Sequence, residues 1–239
     1  MLAHRGLAID APENTMLAFE HAVRAGAEYL ETDVHLSADG AAVLAHDPTL
    51  QRVAAGRGER VADLALAELR RVDLGAGQGF ATLGELLHAF PDTRLNIDVK
   101  TDAAVVATVE AVRRSDAADR VLLTAFSDAR RRRLASMLPG VAASAGRASV
   151  LRAHAASVTR NAPLMRRAVA GAHALQIPER VGRMRLLSRA LVETAHEAGL
   201  EIHVWTVNEE AEMRRLLALG VDGIVTDRAD LALRVVAET

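Results

Sequence analysis

Short apolar runs recur along the chain, and each is followed by a longer stretch in which apolar residues return every three or four positions. Short aliphatic runs are typical of buried strands, and the longer stretches have the spacing of helices. Eight strands that alternate with helices close into a barrel more readily than they form an open sheet. The pattern therefore predicts a single α/β domain over residues 1–239, a (β/α)8 TIM barrel, with strands at 1–4, 29–34 together with 43–46, 94–99, 121–126, 141–145, 174–177, 201–207 and 223–226.

Small polar residues and glycines mark several helix ends. Gly26, Gly199 and Gly220 each stand between a helical stretch and an apolar run, where a residue in the left-handed conformation commonly ends a helix. Ser188 and Asn208 precede helical stretches and are predicted to cap them.

Residues 48–80 form the longest break in the alternation of strands and helices. Their glycines and charges predict a surface excursion at the mouth of the barrel, with one short helix near 63–72. The segment fits a lid over the barrel, and it fits a plain connection equally well.

Composition narrows the classes of partner. The 29 Lys and Arg residues against 31 Asp and Glu give a net charge of −2, and the chain has six aromatic residues, so no basic groove with stacking platforms for nucleic acid is expected. The arginine run at 129–133 is interpreted as the solvated face of an outer helix.

The chain has no cysteine, no leader-like start and no apolar run near the roughly 18 residues of a membrane span, which favours a cytoplasmic protein without stable membrane anchoring. The oligomeric state is not predicted.

Acidic residues are concentrated on one face of the second predicted strand. Alternation along "YLETDVHL" places Glu31, Asp33 and His35 on the face opposite Leu30 and Val34. The apolar face packs against helices, so the carboxylates are predicted to point into the barrel. Two inward carboxylates are costly to bury unless a cation neutralises them, and their oxygen ligands favour a hard ion such as Ca²⁺ or Mg²⁺.

The strand "RLNIDVK" repeats this arrangement, with Asn96, Asp98 and Lys100 on its inward face. Acids from two strands beside a lysine predict a site for a metal ion and an anion. A buried salt-bridge network that joins the acids to Lys100 and Arg5 is the alternative.

His4 and His46 both follow an apolar run at the start of a loop, in "AHRG" and "AHDP". Barrel active sites lie at these carboxyl ends of the strands, and histidine exchanges protons near neutral pH. The two histidines are therefore predicted to act as acid and base on a phosphoester, with Arg5 and Lys100 as contacts for the phosphate. Trp205 has inward parity and either lines the substrate cavity or fills the core.

The chain strongly resembles the glycerophosphodiester phosphodiesterase family across almost its whole length. The matching segments are "AHRG", "APENT", "AGAEYLETDVHLSADG", "VLAHDPTLQR", "TLGELL", "LNIDVK", "TAFS", "VWTVN" and "GVDGIVTD", in the family's order. The resemblance implies a barrel enzyme of lipid and glycerol metabolism. Such an enzyme hydrolyses glycerophosphodiesters to glycerol 3-phosphate and an alcohol with the help of one divalent cation, Ca²⁺, Mg²⁺ or Mn²⁺.

The same resemblance implies a role for individual positions. His4 and His46 correspond to the acid and base, and Glu31, Asp33 and Asp98 to the metal ligands. Arg5 and Lys100 correspond to phosphate contacts. The substrate side is completed by Glu13, near the metal or ordering the first loop, and by Phe126 and Trp205 on the glycerol side.

Two positions depart from the family pattern. The family usually has glutamate where this chain has Asp98, so the shorter side chain is expected to bind the metal directly or through water. Ala81 and Gly84 also replace family residues before a helix.

The expected attacking group is either the hydroxyl of the substrate glycerol or a metal-polarised water. Two rival functions remain: a lysophospholipase D-like enzyme with a larger apolar entrance, and a non-catalytic barrel that binds a phosphorylated metabolite.

Overall fold

The chain folds as alternating strands and helices wrapped into a barrel. A computed structural model describes residues 1–238. The strands are β1 (Leu2–His4), β2 (Tyr29–Leu36), β3 (Ala42–Leu44), β4 (Arg94–Val99), β5 (Val121–Thr124), β6 (Ala142–Ala143), β7 (Ala174–Ile177), β8 (Arg180–Val181), β9 (Met184–Arg185), β10 (Glu201–Val204) and β11 (Gly223–Thr226). The α-helices are α1 (Met16–Arg24), α2 (Leu66–Leu69), α3 (Leu83–Ala89), α4 (Ala104–Arg114), α5 (Asp128–Met137), α6 (Arg147–Val158), α7 (Ala162–Val169), α8 (Arg189–Glu197), α9 (Glu210–Leu219) and α10 (Ala229–Ala237), with 3₁₀ turns at Val61–Asp63 and Ala118–Arg120.

Parallel pairing carries the sheet around the barrel in the order β6-β5-β4-β2-β1-β11-β10-β7. The two end strands meet through a parallel bridge between Ser144 and Ala174, next to a 2.8 Å hydrogen bond from the Ala145 amide to the Ala174 carbonyl. Within the described part of the chain these eight strands form a nearly closed barrel. The predicted TIM barrel fold is confirmed.

The predicted strands agree with the structure to within a few residues, with one difference in topology. The sequence pattern predicts that 43–46 belongs with 29–34, but β3 pairs antiparallel with β2, Val34 opposite Leu44, and is not one of the parallel barrel strands. Periodicity does not distinguish a hairpin strand from a barrel strand, because both bury an apolar face.

Most of the predicted helix ends are confirmed. Gly26, Gly199 and Gly220 have φ values of 102°, 68° and 95°, and the Ser188 hydroxyl accepts a hydrogen bond from the Leu191 amide. The prediction for Asn208 was wrong. Glu209 is the N-cap of α9, while the Asn208 side chain is bound to the loop after β11.

The excursion at 48–80 has a small core of its own. Leu50, Val61, Leu69 and Phe80 are buried together with Val43 of β3, and the short helix α2 lies inside the predicted 63–72 range. This core fixes the excursion against the side of the barrel next to the loop that carries His46.

The arginine run at 129–133 is only partly solvated. Arg132 and Arg133 are exposed, but Arg131 is 1% exposed. Its guanidinium donates to the carbonyls of Val169 and Ala170 at the end of α7. The prediction was wrong for this residue because one face of α5 packs against α7, where the terminal carbonyls need a donor. No helix in the described residues is long and apolar enough to cross a membrane.

Candidate active site

A cavity of about 360 Å³ opens at the carboxyl ends of the barrel strands. It is lined by groups from β1, β2, β4, β5, β7 and β11 and from loops between the barrel strands, so the site is assembled by the closure of the barrel. One side of the cavity is charged and the other is apolar. The charged side contains seven predicted site residues: His4, Arg5, Glu31, Asp33, His46, Asp98 and Lys100.

The inward parity predicted for β2 and β4 is confirmed near the cavity. Glu31 and Asp33 line it from β2, and they pair in register with Asn96 and Asp98 of β4. His35 is buried but lies outside the cavity lining, with its Nε2 3.2 Å from the backbone oxygen of His46. It therefore packs beneath the His46 loop.

Two cations neutralise part of the acidic cluster. Lys100 Nζ lies 2.7 Å from Asp33 Oδ1 and 2.5 Å from Asp98 Oδ2, and Arg5 Nε lies 3.1 Å from Asp33 Oδ2. Burial alone would raise the pKa of Asp33, but Lys100 and Arg5 hold that pKa below its ordinary value. The buried salt bridges from Lys100 and Arg5, which the sequence offered as the alternative to a metal site, are thus present around Asp33.

Among the three acids, Glu31 has the negative charge that Lys100 and Arg5 neutralise least. Its burial, followed by repulsion from Asp33 and Asp98, raises the pKa of Glu31 well above its ordinary value. Burial also raises the pKa of Asp98, although Lys100 opposes the shift. Three carboxylates face two cations, so the salt-bridge network does not account for the whole cluster.

The donor set is compatible with a hard divalent cation. Asp98 Oδ1 is buried and has no hydrogen-bond partner among the described residues, and Glu31 and Asp33 add carboxylate oxygens of the kind that Ca²⁺ and Mg²⁺ prefer. No group of three or more His, Asp or Glu side chains within residues 1–238 is already arranged around a metal position. Lys100, between Asp33 and Asp98, supplies the positive charge in this arrangement.

The first loop folds so that it presents Arg5 to the cluster. Arg5 has a left-handed φ of 56°, and its amide donates to the Glu31 backbone oxygen at 3.0 Å. Gly6 follows with φ 87°, packed so closely on α1 that an added Cβ would lie 2.6 Å from the Ala18 carbonyl carbon. This position requires glycine, because a side chain would displace the loop.

Each of the two histidines is held by a carboxylate through Nδ1. His4 Nδ1 lies 2.6 Å from Asp227 Oδ1, and His46 Nδ1 lies 2.7 Å from Asp47 Oδ1. A carboxylate only accepts hydrogen bonds, so each Nδ1 carries a proton and each Nε2 is left for exchange. The Nε2 of His4 lies 3.9 Å from Glu31 Oε2, beside the acidic cluster.

Sequence reasoning missed these two carboxylates. Asp227 and Asp47 stand in the segments "GVDGIVTD" and "AHDP", but nothing in periodicity pairs residue 227 with residue 4. In the structure β11 and β1 are neighbours, with Leu2 opposite Val225. Asn208 then fixes Asp227, because its Oδ1 accepts from the Asp227 amide at 2.9 Å and its Nδ2 donates to Asp227 Oδ2 at 2.8 Å.

Glu13 lies behind the cavity. Its carboxylate accepts from Arg5 at 3.0 Å and from both terminal nitrogens of Arg52, at 2.9 and 2.6 Å. Arg52 Nε also donates to Asp47 Oδ2 at 2.5 Å. Glu13 is absent from the cavity lining, and its contacts join the first loop to Arg52 and, through Arg5, to the acidic cluster.

Asn14, also missed from the sequence, joins the first loop to β2. Its Nδ2 donates to Asp33 Oδ2 at 3.0 Å, and its Oδ1 accepts from the Thr32 hydroxyl at 2.8 Å. The side chain therefore helps to fix the carboxylate of Asp33 inside the barrel.

Phe126 and Trp205 form the aromatic part of the wall. Their ring centroids lie 6.1 Å apart at an interplanar angle of 69°, and Lys100 Nζ lies 5.9 Å from the Phe126 centroid. Both side chains line the cavity, so Trp205 is not a simple core residue.

The barrel gathers carboxylates, two histidines paired with carboxylates and two cationic side chains around one cavity. The sequence profile of the Glycerophosphoryl diester phosphodiesterase family matches residues 4–231. The chain belongs to this family and is a phosphoric diester hydrolase.

Similar proteins cover nearly the whole chain. The Probable glycerophosphodiester phosphodiesterase 2 of Mycobacterium tuberculosis is 41% identical over 234 residues, which are 96% of this chain and 88% of the relative. A Glycerophosphodiester phosphodiesterase of Caldanaerobacter subterraneus is 29% identical, over 99% of this chain and 97% of the relative. The crystal structure of a glycerophosphodiester phosphodiesterase from Agrobacterium tumefaciens superimposes with a TM-score of 0.80 at 28% identity and covers 99% of this chain and 98% of that one.

Proposed function

We propose that this protein hydrolyses glycerophosphodiesters to glycerol 3-phosphate and an alcohol, with a divalent cation and with His4 and His46 as acid and base. The observation that carries the proposal is the matched pair of Nδ1 to carboxylate contacts, which leaves Nε2 of both rings available beside one cavity. Acid–base cleavage of a phosphoester needs one group that accepts a proton and another that donates one.

The phosphate of the substrate is assigned to the charged side of the cavity. Arg5 supplies a planar guanidinium and Lys100 a compact ammonium, and both line the cavity. Phosphate oxygens would draw these two groups partly away from Asp33 and Asp98.

Glu31, Asp33 and Asp98 are the residues proposed to hold the cation, Ca²⁺, Mg²⁺ or Mn²⁺. Once bound, the cation would add positive charge that stabilises the phosphoryl group as negative charge develops on it. The shorter Asp98 is proposed to bind directly or through water, and its unpartnered buried Oδ1 supports a role in this shell.

The protons are assigned to the two histidines. The nucleophile, either the hydroxyl of the substrate glycerol or water, gives its proton to Nε2 of one ring as its oxygen bonds to phosphorus. The bond from phosphorus to the leaving oxygen breaks, and that oxygen takes a proton from the other ring, which releases the alcohol. If water is the nucleophile, this step gives glycerol 3-phosphate directly. If the glycerol hydroxyl is the nucleophile, the product is a cyclic glycerol phosphate, and water then attacks its phosphorus with the roles of the two rings reversed, so that the ring P–O bond breaks and glycerol 3-phosphate forms. Asp227 and Asp47 stabilise whichever ring is charged and fix its orientation.

The aromatic pair is proposed to line the substrate on the glycerol side. Phe126 and Trp205 stand beside Lys100, so a polyol held next to the phosphate would contact their faces. Glu13 supports the same side indirectly, through Arg5.

A lysophospholipase D-like reaction is a second candidate, and the apolar half of the cavity favours it. Val150, Leu151, Ile177, Val181 and Leu186 line that half. These side chains provide a surface on which an acyl chain of a lysophospholipid would be buried.

The proposal is tested with metal-free protein and a coupled assay for glycerol 3-phosphate. Glycerophosphocholine, glycerophosphoethanolamine and a lysophospholipid are supplied with Ca²⁺, Mg²⁺ or Mn²⁺ added back singly, and released choline is followed for the lysophospholipid. We expect cation-dependent turnover that His4→Ala and His46→Ala abolish without unfolding. His88→Ala is the matched control, and we expect it to keep full activity because His88 is exposed on α3. Turnover that survives loss of either histidine removes that residue from the mechanism, and turnover without any cation contradicts the metal assignment.

A further inference from the structure

The rim of the cavity on its apolar side is an exposed apolar surface. Phe126, Leu151, Val181 and Met184 are 59%, 44%, 45% and 40% exposed. The first three also line the cavity, and Met184 pairs with Val181 across a short hairpin. We call these four residues the apolar rim. Large exposed side chains scattered singly need no explanation, but a cluster around the mouth of a site marks a contact surface.

The hairpin of β8 and β9 brings part of the rim out of the barrel. It follows β7 and turns at Gly182, whose φ is 57°, with Arg180 opposite Arg185 and Val181 opposite Met184. All six residues from 180 to 185 are exposed, while Leu186 and Leu187 just after it are buried. The hairpin therefore projects into solvent from an anchored base.

Three arginines lie next to residues of the apolar rim. Arg147 begins α6 and stands four residues before Leu151, on the same helix face, and it lines the cavity. Arg180 and Arg183 belong to the hairpin. Glu179, just before the hairpin, pairs with Arg185 and Arg215. Within residues 1–238, Arg147, Arg180 and Arg183 form no ion pair with a carboxylate, and the Arg180 guanidinium donates only to the backbone carbonyl of Arg183, so their positive charge is available to a partner.

Exposed apolar side chains with neighbouring arginines that lack a carboxylate partner match the boundary of an anionic bilayer. Arginines pair with lipid phosphates at the level of the headgroups, and the neighbouring apolar side chains enter the upper acyl region. The chain as a whole has a net charge of −2, so attraction to an anionic surface would come from this local group of arginines. A protein partner would need a complementary acidic and apolar surface, and nothing in the structure indicates one.

We propose that the apolar rim and Arg147, Arg180 and Arg183 dock the protein reversibly on lipid surfaces that contain anionic headgroups. Docking turns the mouth of the cavity toward the bilayer, so lipid-derived diesters enter the site from the surface. The binding measurement that tests this proposal involves no turnover, so it is independent of the proposed reaction.

The experiment is co-sedimentation of the protein with vesicles of phosphatidylcholine and with vesicles of phosphatidylcholine mixed with phosphatidylglycerol. We expect the wild type to bind the mixed vesicles and to be released by salt. Arg183→Gln is expected to weaken binding by about fivefold, and Met184→Asp by at least as much. The matched controls are Arg133→Gln, on exposed α5, and Val158→Asp, at the end of α6 where Val158 is 75% exposed and does not line the cavity. Both are expected to bind as the wild type does.

Activity on dissolved glycerophosphocholine separates docking from catalysis. Met184→Asp should retain it, because Met184 does not line the cavity. Failure of the wild type to prefer anionic vesicles overturns the proposal, as does equal loss of binding in the control variants. A dimer that Met184→Asp dissociates, without any vesicle binding, would instead assign the rim to a second copy of the chain.

Discussion

In the proposed mechanism, Asp227 acts through His4. It holds the His4 ring by a 2.6 Å contact to Nδ1 and is itself fixed by Asn208. We expect Asp227→Asn to lower kcat by about 10²- to 10⁴-fold. Without the carboxylate, the His4 ring is no longer held with its proton on Nδ1, and its charged form is no longer stabilised. Initial rates across pH measure the effect, and a changed pH profile distinguishes it from a loss of folded protein.

A second histidine and aspartate pair is the control for this change. His196 Nε2 lies 2.9 Å from Asp222 Oδ2, at the amino ends of the strands and away from the cavity. Asp222→Asn should leave kcat unchanged even if it lowers Tm. An equal fall in kcat in both variants would contradict the role given to Asp227.

Glu31 is expected to reduce stability at neutral pH. Burial and the nearby Asp33 and Asp98 raise the pKa of Glu31, so the folded chain binds a proton that the unfolded chain has already released. The free energy of unfolding therefore falls as pH rises from the ordinary glutamate pKa through the raised folded value. We expect Glu31→Gln to abolish turnover yet raise Tm at neutral pH in metal-free protein, by about 2–4 °C for each kcal/mol gained.

Asp33→Asn should have the opposite effect on stability. Despite its burial, Lys100 and Arg5 lower the pKa of Asp33, so its stabilising contribution is present above the ordinary aspartate pKa and is lost as pH falls through the lower folded value. This variant should have a lower Tm at neutral pH. A lower Tm for Glu31→Gln as well would show that Glu31 is already compensated without a cation.

At the scale of elements, the first loop depends on close packing against α1. A Cβ at Gly6 would lie 2.6 Å from the Ala18 carbonyl carbon, at φ 87°. We expect Gly6→Ala to lose about 1–2 kcal/mol from the left-handed backbone alone, and more from the contact, and to lose activity as Arg5 and His4 move. Denaturant unfolding and the assay measure the two effects.

Gly84→Ala is the matched substitution, and we expect it to raise the free energy of unfolding where Gly6→Ala lowers it. Gly84 lies in the first turn of α3, and no atom of residues 1–238 lies within 4 Å of an added Cβ. Alanine should stabilise this helix by up to about 1 kcal/mol without changing activity. If Gly6→Ala also left the free energy of unfolding and the activity undiminished, the loop would not be fixed by its contact with α1.

The contact between α5 and α7 rests on Arg131. Its guanidinium donates to the carbonyls of Val169 and Ala170. Arg131→Met is expected to cost about 1–3 kcal/mol, because buried carbonyls lose their donor. Arg132→Met, on the exposed face of the same helix, should change the free energy of unfolding little. Equal effects of the two changes on chemical unfolding would contradict the contact's importance.

At the scale of the whole molecule, Arg52 joins the 48–80 excursion to both loops that carry the histidines. It contacts Glu13, which holds Arg5, and Asp47, which holds His46. We expect Arg52→Gln to lower kcat and alter its pH dependence with little change in Tm, since the guanidinium is half-exposed and acts by positioning. Arg52→Lys should recover part of the rate.

Arg57→Gln is the matched control for Arg52. Arg57 lies in the same excursion and pairs only with nearby Glu59 among the described carboxylates. Its loss should leave kcat and the pH profile unchanged. If both variants behave alike, the excursion is a plain connection and not a support of the site.

Much of the site was predictable from sequence because strand parity is local. Alternation placed Glu31, Asp33, Asp98 and Lys100 on inward faces, and helical spacing between eight apolar runs was sufficient to predict the barrel. The resemblance to the phosphodiesterase family added the roles. Arg131 and Asn208 were misread because their environments come from distant elements.

The sequence alone determined the barrel, the inward acids and the chemistry available to His4 and His46, because these follow from residue type and short-range periodicity. Tertiary structure alone decided which groups meet. Closure of the barrel brings Asp227 to His4 across 223 positions, inserts Lys100 between Asp33 and Asp98, and gathers the apolar rim from the loop after β5, from α6 and from the hairpin. Such contacts depend on the register and order of the strands, which a local pattern of residues does not encode.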